Sequence, residues 1–136
     1  MNTQPHRWTL VGDVLVSFSL PGVIPDKVWD DFVKDLGRQR IVGCLVLCIG
    51  AVDVNSIQRK TAGDAVLQRK LPVVVVTDDR VVRGLVTAVG WLGVQIDSFS
   101  WSQLDGAVNK LRVSPATSSR CVEEALRFKA ANMAAA

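Results

Sequence analysis

The sequence predicts an α/β domain: a five-stranded mixed sheet flanked by helices, with one more helix at the C-terminus. Three observations predict it. Four consecutive valines, Val73 to Val76, stand between Pro72 and Thr77. That is the pattern of a strand covered on both faces. Apolar residues then recur at Val82, Leu85, Val86 and Val89, one stripe of a helix. An alternating strand over residues 94–99 and a second helical stripe, Leu104, Ala107, Val108 and Leu111, follow at once. Strand, helix, strand, helix with short links makes a parallel β-α-β unit.

The other elements follow in chain order. Residues 7–10 and 14–20 are strand-like and joined by Gly12-Asp13. A tight turn there makes a hairpin, so the first two strands should be antiparallel and the remainder parallel. Pro25 can open a helix, with Asp26, Asp30 and Asp31 favouring its positive end. Val28, Phe32 and Leu36 should face inward, widened by Trp29 and Val33, and Gly37 should stop the helix. Residues 41–49 are the most apolar strand and should lie centrally. A second helix is expected over 53–68 with Asn55 as its cap. Its stripe is weak: Ile57, Thr61 and Ala65, widened by Ala62 and Val66, with Gly63 lowering its propensity further. Small residues let such a helix sit close to the sheet or leave it mobile.

Asp78 and Asp79 offer a cap for the third helix, and Gly93 an end. The expected core includes Leu45, Leu47, Val74, Val76, Leu85, Val89, Leu92, Leu104 and Leu111. Residues 1–113 thus form the domain, 114–120 read as a Ser/Thr-rich linker, and 121–136 as a last helix with a fraying alanine tail. Glu123 and Glu124 early and Arg127 and Lys129 later match that helix's dipole. A lone helix of this length is marginal in water. It should dock on the domain's own flank or on a second protomer, making a homodimer.

Composition narrows the classes of function. At 136 residues, 49% apolar and 21% charged, the chain is one globular domain that needs neither disulfide nor metal for its core. No apolar run approaches the ~20 residues that span a bilayer. The first residues lack the apolar centre of a signal peptide, so a cytoplasmic protein without membrane insertion is expected. Cys44 and Cys48 lie four apart in a strand and Cys121 is distant; this is no metal spacing, and reduced, packed thiols are expected. The net charge of +3 is mild. The basic pairs Arg38/Arg40, Arg59/Lys60, Arg69/Lys70 and Arg80/Arg83 have no aromatic residues between them, so no nucleic-acid partner is expected. Glycine-rich phosphate loops are missing. His6 is the single histidine, with no acid or nucleophile assigned to it. No cofactor, metal or catalytic role is expected.

One stretch carries a resemblance. VVVVTDDRVVRGLVTAVGWLG and the following strand and Leu-x-x-Ala helix are similar to the STAS domain, the sulfate-transporter and anti-sigma-factor-antagonist fold. Over roughly residues 7–111 the order of elements resembles that family. The nearest likeness is to bacterial single-domain STAS-like proteins, through Gln58-Arg59 at a helix start and the segment from Val76 to Gly93. The resemblance implies a non-catalytic regulatory module that binds a protein partner. Anti-sigma antagonists of this family carry Asp-Ser-Ser-Gly at the start of the second helix, with a serine phosphorylated by a partner kinase. The matching region, Gly50 to Ile57, lacks Ser-Ser-Gly and keeps only Asp53 and Ser56, at a different spacing.

The residues expected to bind a regulatory partner are Asp53, Asn55, Ser56, Arg59, Lys60, Asp79, Arg80 and Arg83, all at the C-terminal edge of the sheet. Open α/β sheets bind ligands there. Ser56 suits either capping or phosphorylation, since a helix N-terminus favours negative charge. Asp78 and Asp79 suit capping better than an ion site. The four tryptophans suit the core or a partner surface. The alternative function is a carrier of a small molecule or lipid. The weak second helix, with Thr61, Ala62 and Gly63, could leave an apolar cavity beneath it.

Overall fold

A computed structural model describes residues 5–133. The alanine tail lies outside them. The strands are β1 (His6–Val11), β2 (Val14–Ser19), β3 (Gly22–Val23), β4 (Gly43–Cys48), β5 (Val52–Asp53), β6 (Val73–Val76) and β7 (Ile96–Phe99). The helices are α1 (Asp26–Leu36), α2 (Ser56–Arg69), α3 (Arg80–Gly90), α4 (Leu104–Asn109) and α5 (Pro115–Met133). A 3₁₀ turn, Trp101–Gln103, leads into α4.

The main sheet has five strands in the order β1-β2-β4-β6-β7. β1 is antiparallel to β2, and every other pair is parallel. The fold class and the central place of residues 41–49 are as expected. The hairpin turns on Gly12 at φ 61°, the positive value a tight two-residue connection requires. The short strands β3 and β5 form a separate parallel pair, which the sequence did not announce. Asp53, where the second helix was expected to begin, belongs to β5 of this pair.

Each strand step moves one place along the sheet. Crossovers of one hand therefore put α1, α2 and α3 on the same face. Alternation divides the residues. Val14, Val16, Phe18, Leu45, Leu47, Val74 and Val76 face α4 and α5. Leu15, Cys44, Cys48, Val73 and Val75 face α1 to α3. Burial on both sides explains the unbroken valine run.

Several expectations are corrected. α5 begins at Pro115, and the Ser114 hydroxyl accepts the Thr117 amide (3.2 Å). Residues 115–120 are thus its first turns rather than a linker. α5 docks on its own sheet: Cys121, Ala125 and Phe128 are buried there, with Phe128 edge-on to Phe18 at 5.0 Å. Leu92 is 75% exposed, because α3 ends at Gly90 and Trp91-Leu92 form the turn beyond it. Leu85 and Val89 are half-buried rather than core. In α2 the inward positions are Gln58, which the stripe omitted, with Ala62 and Val66, expected only to widen it; Ile57 and Thr61 are exposed.

Candidate functional site

The sheet face under α1 to α3 is graded along the strands. The register gives a rung Leu10–Leu15–Cys44–Val73–Ile96, then Trp8–Ser17–Val46–Val75–Ser98, then His6–Ser19–Cys48. The first rung is apolar. Polar side chains enter toward the C-terminal edge.

α2 bridges this face and is held at both ends. At its start Asn55 and Gln58 form a capping box, Asn55 Oδ1 accepting from Gln58 N (2.8 Å). The buried Gln58 amide then donates to Ile24 O (2.8 Å), and the Trp29 indole donates to Gln58 O (2.8 Å). At its end Arg69 donates to Leu36 O (3.1 Å), Gln39 O (3.0 Å) and Ile41 O (2.8 Å). Both clamps run to α1 and the residues that flank it. In its middle α2 offers Ala62, Gly63 and Val66 toward the sheet, and these side chains are too short to fill the gap.

A cavity of about 160 Å³ lies there. α2 supplies Ala62, Gly63 and Val66, α3 supplies Val82, Leu85, Val86 and Val89, and the sheet supplies the floor. Ala62, Gly63, Leu85 and Val89 are half-exposed, which puts the mouth between α2 and α3. The wall is almost wholly apolar. At the polar end His6 Nδ1 pairs with Ser19 Oγ at 2.9 Å. His6 Nε2 and Ser17 Oγ are buried without a hydrogen-bond partner among the described residues. Trp8, Trp29 and Phe32 surround the imidazole, with the Phe32 ring edge-on at 4.5 Å. Burial pushes the His6 pKa down from 6.5 to about 4, so the ring is neutral at physiological pH. Trp8 is fixed by its indole N–H donating to Asp35 Oδ2 (2.8 Å), the chief reason that carboxyl lies below its usual pKa.

The His6–Ser19 contact has the shape of a base–nucleophile pair. A base with a pKa of about 4 is weak, and no carboxylate orients its far nitrogen, since Nε2 has no partner among the described residues. The arrangement supplies hydrogen bonds, not an activated nucleophile. The cysteines are buried thiols: burial pushes Cys44 and Cys48 up to about 12 and Cys121 up to about 11. Among the described residues no three His, Cys, Asp or Glu side chains gather as metal ligands.

The partner-binding candidates are only partly brought together. Asp53, Asn55, Ser56, Lys60 and Arg80 are exposed at the C-terminal edge. Asn55 caps α2, while Ser56 is its first residue. Lys60 pairs with Asp64 at 3.0 Å within the helix. Asp79 caps α3, Oδ1 accepting from Val82 N (3.0 Å). Asp78 instead accepts the Trp101 amide (3.0 Å), tying the β7–α4 connection to the edge. Arg59 turns inward, donates to Val54 O (2.6 Å) and lines the cavity. Arg83 is half-buried, its Nε without a partner among the described residues. Sequence reasoning missed His6, Ser17, Ser19 and Gln58. The available signal was Ser17 and Ser19 alternating with apolar residues in a strand otherwise reading as core.

Compared with protein-family models, curated proteins and solved structures, the chain matches none. Among the described residues no helix is long and apolar enough to cross a membrane.

Proposed function

We propose that this chain is a non-catalytic binding module that holds a small, largely apolar molecule in the cavity beneath α2. One observation carries the reading. An apolar pocket of about 160 Å³ is lined by His6 and Ser17, whose Nε2 and Oγ are buried and satisfied by no described residue. Ligand sites are mostly apolar concavities with a few convergent polar groups. Buried polar atoms without partners are uncommon, since each costs about 1–3 kcal/mol. Native mass spectrometry of gently purified protein tests the reading. One small molecule retained per chain is expected. A clean mass of the bare chain, unchanged after incubation with apolar metabolite extracts, would remove it.

A second reading, a STAS-like regulatory module that docks a protein partner, is favoured by a different observation. Val23, Ile57 and Val81 are each more than 70% exposed, at 72%, 77% and 72%. They belong to β3, α2 and α3; α2 and α3 also carry Ser56, Lys60 and Arg80, and Val23 pairs in register with Asp53 of β5. Apolar anchors ringed by polar groups suit a protein interface. With the short β3–β5 pair set aside, the β-β-α-β-α-β-α-β-α order up to α4 supports the family resemblance on which this reading leans, a fold-level analogy. Crosslinking in native lysate tests it. A stoichiometric partner lost on Ile57→Asp is expected. Recovery of no such partner, with a monomer by light scattering, would end it.

A further inference from the structure

We infer that the cavity selects its ligand by a neutral hydroxyl, so that the molecule it takes is a compact apolar body carrying one alcohol or phenol group. This rests on the reading of the cavity as a ligand site. Four observations narrow the chemistry. First, size: an apolar cavity of roughly 150 Å³ takes up benzene, and this one, at about 160 Å³, admits a body of one ring with a short substituent. Second, the cavity's unpartnered polar atoms belong to neighbouring rungs of adjacent strands. His6 pairs in register with Ser19, two residues along β2 from Ser17. Both residues line the cavity, and both are nearly inaccessible, at 2% and 0%.

Third, the hydrogen-bonding roles at this end fit a hydroxyl. Ser19 Oγ can donate to His6 Nδ1 or accept from it. His6 Nε2 is accordingly a donor in one tautomer and an acceptor in the other. Ser17 Oγ can also play either role. A ligand hydroxyl, one donor with two lone pairs, can complement either atom whichever tautomer is present. A carboxylate serves only as an acceptor and an ammonium only as a donor. Fourth, the His6 ring itself is set among uncharged groups. His6 is neutral, and its surroundings are Trp8, Trp29 and Phe32. Burying an ionised head there without a partner is prohibitive. The cavity's one lining cation, Arg59, comes from α2 and is engaged by Val54 O.

The experiment is an NMR titration of the full chain with three probes of similar size: ethylbenzene, benzyl alcohol and benzoate. It is run on the parent, on Ser17→Ala and on His6→Phe. Ser17→Ala deletes only a buried hydroxyl, and phenylalanine suits the aromatic surroundings of His6, so one variant backs up the other. Shifts at Ala62, Gly63, Val66 and Val86 report occupancy. Benzyl alcohol is expected to lose about tenfold in affinity in either variant, the size of one neutral hydrogen bond. Ethylbenzene should stay within about twofold of the parent. If both probes change alike, or neither changes, the hydroxyl is not read and the inference falls, while the ligand site stands. Benzoate binding more tightly than benzyl alcohol also overturns it, because the Arg59 cation would then govern selection. If no probe shifts those residues, the ligand site falls too.

Discussion

Under α5, Val16, Leu45 and Val74 meet Cys121, Ala125 and Phe128 in a continuous buried cluster. Under α2, on the opposite face of the same strands, Ser17, Val46 and Val75 look into a cavity. The strands are common to both faces, so strand composition is not the whole cause. Both helices also present small residues, Ala125 in one and Ala62 and Gly63 in the other. They differ in how each helix is held. α5 is free to settle onto the sheet, so that even Ala125 is fully buried. α2 is clamped to α1 and its flanking residues through Gln58 and Arg69. Its small middle residues cannot bring the backbone down. A small residue closes a gap only when its helix can move to meet it.

The largest effect that would break this comparison belongs to the filled face. Phe128→Ala removes a ring packed against Phe18. It should cost about 3–5 kcal/mol in denaturant unfolding. A loss under about 1 kcal/mol would mean that α5 is not part of the core. Acid comes next and acts on the other face. The native His6 ring resists protonation until about pH 4, whereas an exposed imidazole charges near 6.5. Between those values the unfolded chain binds more protons, so stability falls as pH falls. This contribution is complete above pH 6.5, and about 3 kcal/mol is lost by pH 4. Unfolding curves of the parent and His6→Phe should diverge across that window; parallel curves would contradict the burial of His6.

Matched enlargements sharpen the contrast. Ala125→Leu on the filled face should destabilise by about 1–3 kcal/mol through overpacking. Ala62→Leu should change stability by under about 1 kcal/mol, because the added carbons enter the cavity. Equal costs for the two would erase the distinction between the faces. The smallest expected effect is Gly63→Ala. Nothing lies within 4 Å of an added Cβ there, so the gain in helix propensity should show as about 0.5–1 kcal/mol of added stability by thermal melting.

The sheet was legible because its signals are local and strong. The valine run, the hairpin at Gly12 and the α3 stripe each specify an element, and short links leave few ways to join them. The weak stripe of α2 also pointed to a gap beneath it. The polar end of the cavity was not legible. His6 stands alone near the terminus, and only the strand register brings it beside Ser19 and Ser17. Gln58 reads as a surface helix residue until its amide is seen reaching Ile24. The start of α5 was misjudged because Ser114-Pro115 and the serines and threonine after it resemble a linker, although serine before proline is also a helix-opening pair.

Xenon tests the difference between the two faces most directly, since it enters apolar cavities large enough to hold it. In crystals of the full chain under xenon pressure, a bound atom is expected between α2 and the sheet, near Val66, Val75 and Val86, and none between the sheet and α5. A xenon atom under α5, or none beneath α2, would contradict that difference.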